Sequence, residues 1–489
     1  MKVCMFVYNA CQEDARLLKE ARTLTAAGYD VHIIAHLTNE TVAYQELDGF
    51  RIFRVALDPI YRKMLRLTSL PIRMALKLVG LLLEKPFQRS FEARRKDAAN
   101  REVRQRGIIG LVRRNGYFVK EALKENPAYF LSVGWLLAAG SVLVFHVSHW
   151  MSRLLYRTIV HLLKLLPTAA RYQSYIDYYC RGFGLARREP ADIYHAHDLN
   201  ALPVAWLSSR VMKGKLVYDS HELWLDRTRL KKRSRFNRFL VRAIELFLTR
   251  GTDAMIAASE SYATLLSHRY NIPQPTVILN APGYCPVERS RILRDELDIP
   301  KGDRILLYIG RITYYRGLEE VIQSIQYLRH CVLVMMGYEA AEYVAGLKKL
   351  ITDQGVSDRV RFFGMVPYQE VVRCAASADI GVAIIKNAGL SYYYTSPNKV
   401  FQCMAAGLPV VASNFPDMKK VIEGYNLGVT CDPDNPGEIA NAINYVLSDE
   451  DRYNEMRSNA LEAAKIFNWE NESKKLLALY QGLSDRTND

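Results

Sequence analysis

The stretch SPNKVFQCMAAGLPVVAS (396–413) reads as a helix start, an apolar helix, a turn at Gly407 and a short buried strand. Ser396 is placed to cap the helix and Pro397 to sit in its first turn. Asn398 and Lys399 come next. Free N–H groups at a helix start, with a lysine beside them, form an anion site. Upstream, IGRITYYRG (309–317) closes a strand at Gly310, and Arg311 and Arg316 follow five residues apart. Two guanidinium groups leaving one strand end suit one pyrophosphate, because each planar fork matches a pair of phosphate oxygens.

Working outward, strands and helices alternate on both sides of this pair. Residues 2–8, 31–35 and 49–55 read as strands, with an amphipathic helix over 12–27 ending at Gly28. The alternation resumes near 193 and continues at 215–218, 254–257 and 277–279. A second series covers 305–309, 331–336, 360–363, 380–384, 409–412 and 428–431. Such alternation predicts an α/β fold of parallel sheets wrapped by helices. A chain of 489 residues exceeds one core and suits two doubly wound domains. The expected boundary lies in the proline-bearing stretch 281–300, giving domains over 1–285 and 286–466.

The interruption, about 58–188, needs its own account. Residues 51–190 hold 26 Lys and Arg against 9 Asp and Glu, a net +17, so the rest of the chain carries −2 of the +15 total. Residues 61–85 mix apolar residues with cations, 89–125 are highly charged, and 129–147 carry no formal charge. Nineteen such residues are about the minimum for a membrane span. One crossing would put the two parts of the first sheet on opposite sides, so a helical insert lying in the plane of an anionic membrane is the preferred reading. A re-entrant helix and a helical insertion packed on the domain are the alternatives. Nucleic-acid binding is disfavoured, because the cations interleave with leucines rather than stacking aromatics. The eight cysteines show no metal spacing and read as buried free thiols of a reducing compartment. The N-terminus reads as a buried strand rather than a signal peptide.

The two opening segments resemble the donor half of family 4 of the retaining glycosyltransferases. Its pattern is GR-x4-KG and, further on, E-x7-E-A-M-A-x-G-x-P-V-V. Arg316 stands where lysine is usual, and Tyr394 and Gln402 stand where the two glutamates fall. The run YYYTSPNK (392–399) resembles a branch of the family that reads YYY-s-PNK. The resemblance implies the GT-B fold, two Rossmann-like domains facing a cleft, with a last helix (467–489) crossing back to the first domain. It implies diphosphate binding by Arg311, Arg316, Ser396, Asn398 and Lys399. It implies nucleoside contacts at Gly337, Gly364, Met365 and Val366, and at Gln402 for the ribose. The run YHAHD (194–198) resembles the family's H-x-H-[DE], which sets His197 near the donor sugar with Asp198 beside it. Asp14 and Arg16 resemble the branch's D-x-R. With Asp198, and with His221 and Glu222 after the next strand, they are expected on the acceptor side. His195 and Asp219 are open to structural or functional roles. His195 and His197, two apart on a strand, are read as facing opposite sides and therefore as no metal pair.

The same resemblance implies a retaining transfer from a UDP- or GDP-sugar to a lipid-linked glycan acceptor, by front-face substitution. Neither metal nor cofactor is expected, because cations and a helix start can stabilise the leaving diphosphate. The expected location is the inner face of the cell membrane, peripheral and cytoplasmic. The alternative is a weakly active or inactive member that scaffolds glycan assembly, favoured by Tyr394 and Gln402. A sugar-nucleotide epimerase is a third reading.

Overall fold

The structure, a computed structural model, describes residues 1–12, 14–57, 173–228, 234–338 and 340–485. The expected insert segments 61–85, 89–125, 129–147 and 151–166 lie outside them. Met1–Ala56 and Tyr178–Asp489 make one compact unit containing two sheets.

The first sheet has eight strands: β1 (Lys2–Val7), β2 (Asp30–Leu37), β3 (Tyr44–Leu47), β4 (Phe50–Ala56), β5 (Ile193–His197), β6 (Lys215–Ser220), β7 (Ala254–Ala257) and β8 (Thr276–Val277). Their order is β3-β4-β2-β1-β5-β6-β7-β8. Every pairing is parallel except β3 with β4. The second sheet has six: β9 (Arg304–Ile309), β10 (Cys331–Met336), β11 (Val360–Phe363), β12 (Ile380–Ala383), β13 (Val410–Ser413) and β14 (Gly428–Cys431). It is all parallel, in the order β11-β10-β9-β12-β13-β14.

Both faces of the second sheet are covered, which explains its continuous apolar runs. Along β9, Ile305, Leu307 and Ile309 enter one core while Leu306 and Tyr308 enter the other. The last helix, Trp469–Asp485, packs Trp469, Leu476, Tyr480 and Leu483 into the first sheet's core, against the helix Ala15–Ala26. Trp469 Nε1 donates to Thr23 Oγ1 at 3.0 Å.

Three local expectations change. The first helix starts at Ala15, not 12, because Asp14 is its N-cap and its carboxylate accepts from Leu17 N. Strand β3 was not expected; Asp48 and Gly49, both at positive φ, turn it back onto β4. Cys180 and Cys285 are exposed, whereas the other six thiols are buried.

In each sheet the order reverses beside the first strand of its series, at β1/β5 and at β9/β12. Open α/β sheets bind ligands outside the carboxyl ends of strands at such points.

Candidate functional site

At the second sheet's switch point, three adjacent strands each end in glycine: Gly310 after β9, Gly337 after β10 and Gly364 after β11. Gly310 N donates to Met336 O and Gly337 N to Phe363 O. A Cβ on Gly337, whose φ is +147°, would stand 2.1 Å from Gly310 O. Only glycine lets the two loops approach this closely. Gly317, at φ +64°, is the N-cap of the helix Leu318–Ser324, and a Cβ there would stand 2.4 Å from Ile384 Cγ2, just past β12.

The cations gather around these glycines. Arg311 is exposed, with its guanidinium 5.5 Å from the Tyr338 ring centre. Arg316 lies 5.7 Å from the Tyr392 ring. Lys399 is buried, 7% exposed, in the first turn of the helix Asn398–Ala405. Its Nζ sits 3.6 Å over the face of Tyr308 and has no hydrogen-bond acceptor among the described residues. Burial first, and then the charge of Arg316, push this amine well below the usual lysine range. Gln402, one turn on along the same helix face, is also buried. Asn398 is exposed at the helix start, and Met365 and Val366 follow Gly364 at the rim. Ser396 is not the cap. The N-cap is Pro397, which has no side-chain acceptor, so the helix begins one residue later than expected. Ser396 borders a crevice of about 460 Å³ with Ser259, Val277, Asp417 and Lys420.

At the first sheet's switch point Arg16, Asp219 and His221 are already paired with one another. Asp219, at the end of β6, takes a bidentate grip from Arg16 at 2.7 and 2.9 Å. It also meets His221 Nε2 at 2.9 Å and His197 Nδ1 at 3.5 Å. Burial opposes its charge, but Arg16 and His221 hold its carboxyl well below the usual range. Burial likewise opposes the His221 cation, yet Asp219 and Asp198 raise its pKa to about 10. His197 is buried and is lowered by desolvation, so it is the neutral ring of the pair. Asp14 lies near both rings, is held by Asn9 at 2.8 Å, and stays ionised despite burial. Asp198 adopts φ +66° and leaves Oδ1 buried without a partner, a backbone strain of the kind that gathers at functional sites.

Residues 290–463 match the family model described as Glycosyl transferases group 1. Residues 141–281 match that described as Glycosyltransferase Family 4. Both matches are to glycosyltransferase families, one over the second sheet and one over the later strands of the first. A D-inositol 3-phosphate glycosyltransferase of Corynebacterium glutamicum is 23% identical over 315 residues, 60% of this chain and 73% of that protein. An uncharacterized glycosyltransferase of Methanocaldococcus jannaschii is 26% identical over 254 residues, 49% of this chain and 63% of that one. The sucrose-phosphate synthase of Thermosynechococcus elongatus superposes with TM-score 0.67 at 15% identity, covering 99% of this chain and 100% of its own. Anabaena HepE, solved with UDP-glucose, superposes at 0.62 and 15% with the same coverage. These likenesses show the two-domain GT-B fold.

Within the glycosyltransferase fold, Arg311, Arg316, Lys399, Gly337, Gly364 and Gln402 share one sheet edge. Asp14, His197, Asp198 and His221 share the other. Three expected residues stand differently. His197 is enclosed, and its unpaired Nε2 reaches no solvent; His221 is the ring that reaches outward. Arg16 is buried, with its guanidinium held by Asp219, Glu20 and the Ile278 carbonyl, so it positions other groups rather than meeting an acceptor. Glu222 is partly exposed and pairs with Arg227 at 2.7 Å.

The expectation that His195 and His197 face opposite sides is wrong. Residues two apart on a strand share a face, and the two rings stack with centres 4.3 Å apart. Together with Glu20 and Asp219 they offer donor atoms within 4.8 Å of one another. Arg16 already supplies the positive charge to both carboxylates there.

Sequence reasoning missed Glu20, whose carboxyl desolvation pushes up to about 8. It also missed Ser259 and Tyr262, which bind the carbonyls of Tyr394 and Ser391 and tie the tyrosine run to the first sheet's half.

Proposed function

We propose that the protein transfers a sugar from a nucleoside diphosphate-sugar to a hydroxyl of a lipid-linked glycan acceptor, with retention and without a metal ion. The observation that carries the reading is Lys399: an amine buried beneath a strand-end glycine, lacking any acceptor, beside Arg316. A buried cation without a counter-ion is costly, and a diphosphate supplies that counter-ion. The glycosyltransferase domains and the UDP-glucose complex of HepE support a uridine donor.

In this reading the anomeric carbon–phosphate oxygen bond breaks as the acceptor oxygen bonds to the same face of that carbon. The acceptor proton passes to the leaving phosphate oxygen. Arg311, Arg316 and Lys399 stabilise the charge that collects on that diphosphate. Asp219 orients His221, whose protonated ring would hold the acceptor against Asp14. A phosphorylated small acceptor is a second reading, favoured by the same His221 cation and by the relatives' name, D-inositol 3-phosphate glycosyltransferase.

The test is transfer from labelled UDP-, GDP- and ADP-sugars to lipid-linked acceptors and to inositol phosphate, with and without EDTA. The anomeric configuration of the product would be read by NMR. Transfer to lipid with retention in EDTA is expected. Inverted product, or activity restored only by added divalent metal, overturns the mechanism. Nucleotide-sugar binding without transfer or hydrolysis would favour a scaffold.

A further inference from the structure

We propose that the outward face of the helix Arg235–Thr249 docks on an anionic lipid surface. This deepens the proposed function and rests on its membrane-borne acceptor. Of the fifteen residues of this helix, only Glu245, Leu248 and Thr249 are buried. Phe236, Phe239 and Phe247 are 71%, 68% and 63% exposed, and Leu240 and Ile244 stand out beside them. At ~100° per residue, positions 236, 239, 240, 243, 244 and 247 fall on one arc of about 140°. The face continues onto the helix Leu202–Met212, where Leu207 and Val211 are exposed and Trp206 meets Phe247 with ring centres 5.4 Å apart. Monomer surfaces rarely leave such a contiguous apolar face to water.

Charge selects the occupant. Arg235, Arg238 and Arg242 are exposed along one flank of the arc, and Lys231, Lys232 and Arg233 precede the helix in sequence. Its one acid, Glu245, points inward and accepts from Tyr218 OH at 3.4 Å. A second copy would set arginines against arginines, whereas lipid phosphates complement them. Large apolar residues on one side and cations at the edge are the composition of a helix lying in a bilayer interface. The helix begins shortly after His221 and Glu222, so docking would hold the acceptor edge close to the lipid.

The experiment uses the full chain with Cys180→Ser and Cys285→Ser, removing the two exposed thiols, and Leu240→Cys labelled with an environment-sensitive NBD probe. Vesicles of phosphatidylcholine with phosphatidylglycerol should shift the probe to the blue and expose it to quenching by nitroxide lipids. Pure phosphatidylcholine vesicles should do neither. Phe236→Ser with Phe239→Ser should weaken vesicle binding by roughly tenfold or more. No shift with anionic vesicles, or an equal shift with neutral ones, overturns the proposal. A blue-shifted probe before vesicles are added also overturns it: loss on dilution means a second copy covers the face, and persistence means the chain itself does. UDP binding by thermal shift is read in parallel. Its loss with quenching intact sinks the donor reading alone, and its survival without quenching sinks only the docking face.

Discussion

Replacing Lys399 with methionine should leave the free protein at least as stable and weaken donor binding by ten- to a hundredfold. In the free protein the side chain is buried, Nζ has no acceptor among the described residues, and it faces the Tyr308 ring at 3.6 Å. That contact contributes about 0.5–2 kcal/mol. The desolvation of a charged Nζ opposes it, which is why the amine's pKa is lowered. Methionine keeps the stem and removes the charge, so the two effects largely cancel and the melting temperature should hold or rise. With a diphosphate present, the lysine gains a charge-assisted hydrogen bond of about 1.5–3 kcal/mol, or roughly ten- to a hundredfold in Kd. The sign with pH comes from the lowered pKa. The folded free protein binds fewer protons at this site than the unfolded chain, so the lysine costs stability as pH falls below 10.5. The methionine variant should escape that loss. UDP binding should also take up a proton, because the diphosphate favours the ammonium. Calorimetry in two buffers of different ionisation heat measures that uptake. A methionine variant that keeps the parent Kd, or one that melts far lower while the parent takes up no proton, would refute the reasoning and make Lys399 a structural cation.

Arg316→Ala should weaken UDP-sugar binding or turnover severely while Arg316→Lys retains part of it, since charge matters more there than the fork; unchanged donor kinetics in the alanine variant would remove the diphosphate assignment. Gly337→Ala should abolish UDP binding or folding, because the new Cβ meets Gly310 O at 2.1 Å, whereas Gly364→Ala, with nothing within 4 Å, should melt and bind like the parent; equal behaviour of the pair in a thermal-shift assay counts against the close loop packing. Asp219→Asn should cost about 3–5 kcal/mol in chemical denaturation, because it takes the ionised carboxylate away from the buried Arg16 and from His221; a change below about 1 kcal/mol would show the network is slack. His221, raised from 6.5 to about 10, should stabilise the fold fully below pH 6.5 and lose that effect as pH rises through 10, so the melting difference between parent and His221→Gln should shrink across that window; a difference independent of pH would contradict it.

The second sheet was legible because its inner strands are doubly buried. Cys331–Met336, Ile380–Ala383 and Val410–Ser413 are short apolar runs between turn residues, and they fall within a residue of where the pattern puts them. Strand β3 was not, because Tyr44–Leu47 is a half-exposed edge whose polar residues carry no burial signal. Glu20 looks in sequence like the solvated side of an amphipathic helix. Only the packing of that helix on the first sheet puts it beside His195 and Asp219. The helix Arg235–Thr249 defeats periodicity from the other direction: its apolar arc is regular, but it faces outward. A hydrophobic period reports that a face exists, not which way it points.

The two switch points differ in where their charges stand before any ligand arrives. At the first sheet, Asp219, Arg16 and His221 satisfy one another within the protein, so the histidines are held in fixed protonation states and orientations. At the second, Arg311, Arg316 and Lys399 converge on glycine loops, and the buried member of the three has no acceptor. A site whose charges are already paired gains little from a further ion, whereas a site with a buried unpaired cation gains the whole counter-ion interaction when an anion enters. On the proposed function, the donor diphosphate is therefore assigned to the second sheet. The first sheet is suited to orienting a neutral hydroxyl or a single phosphate against the His221 ring. Ser259 and Tyr262 bridge the two through the backbone of Tyr394 and Ser391. The segment leading into the Lys399 helix is thereby fixed to the half of the molecule that carries the histidines.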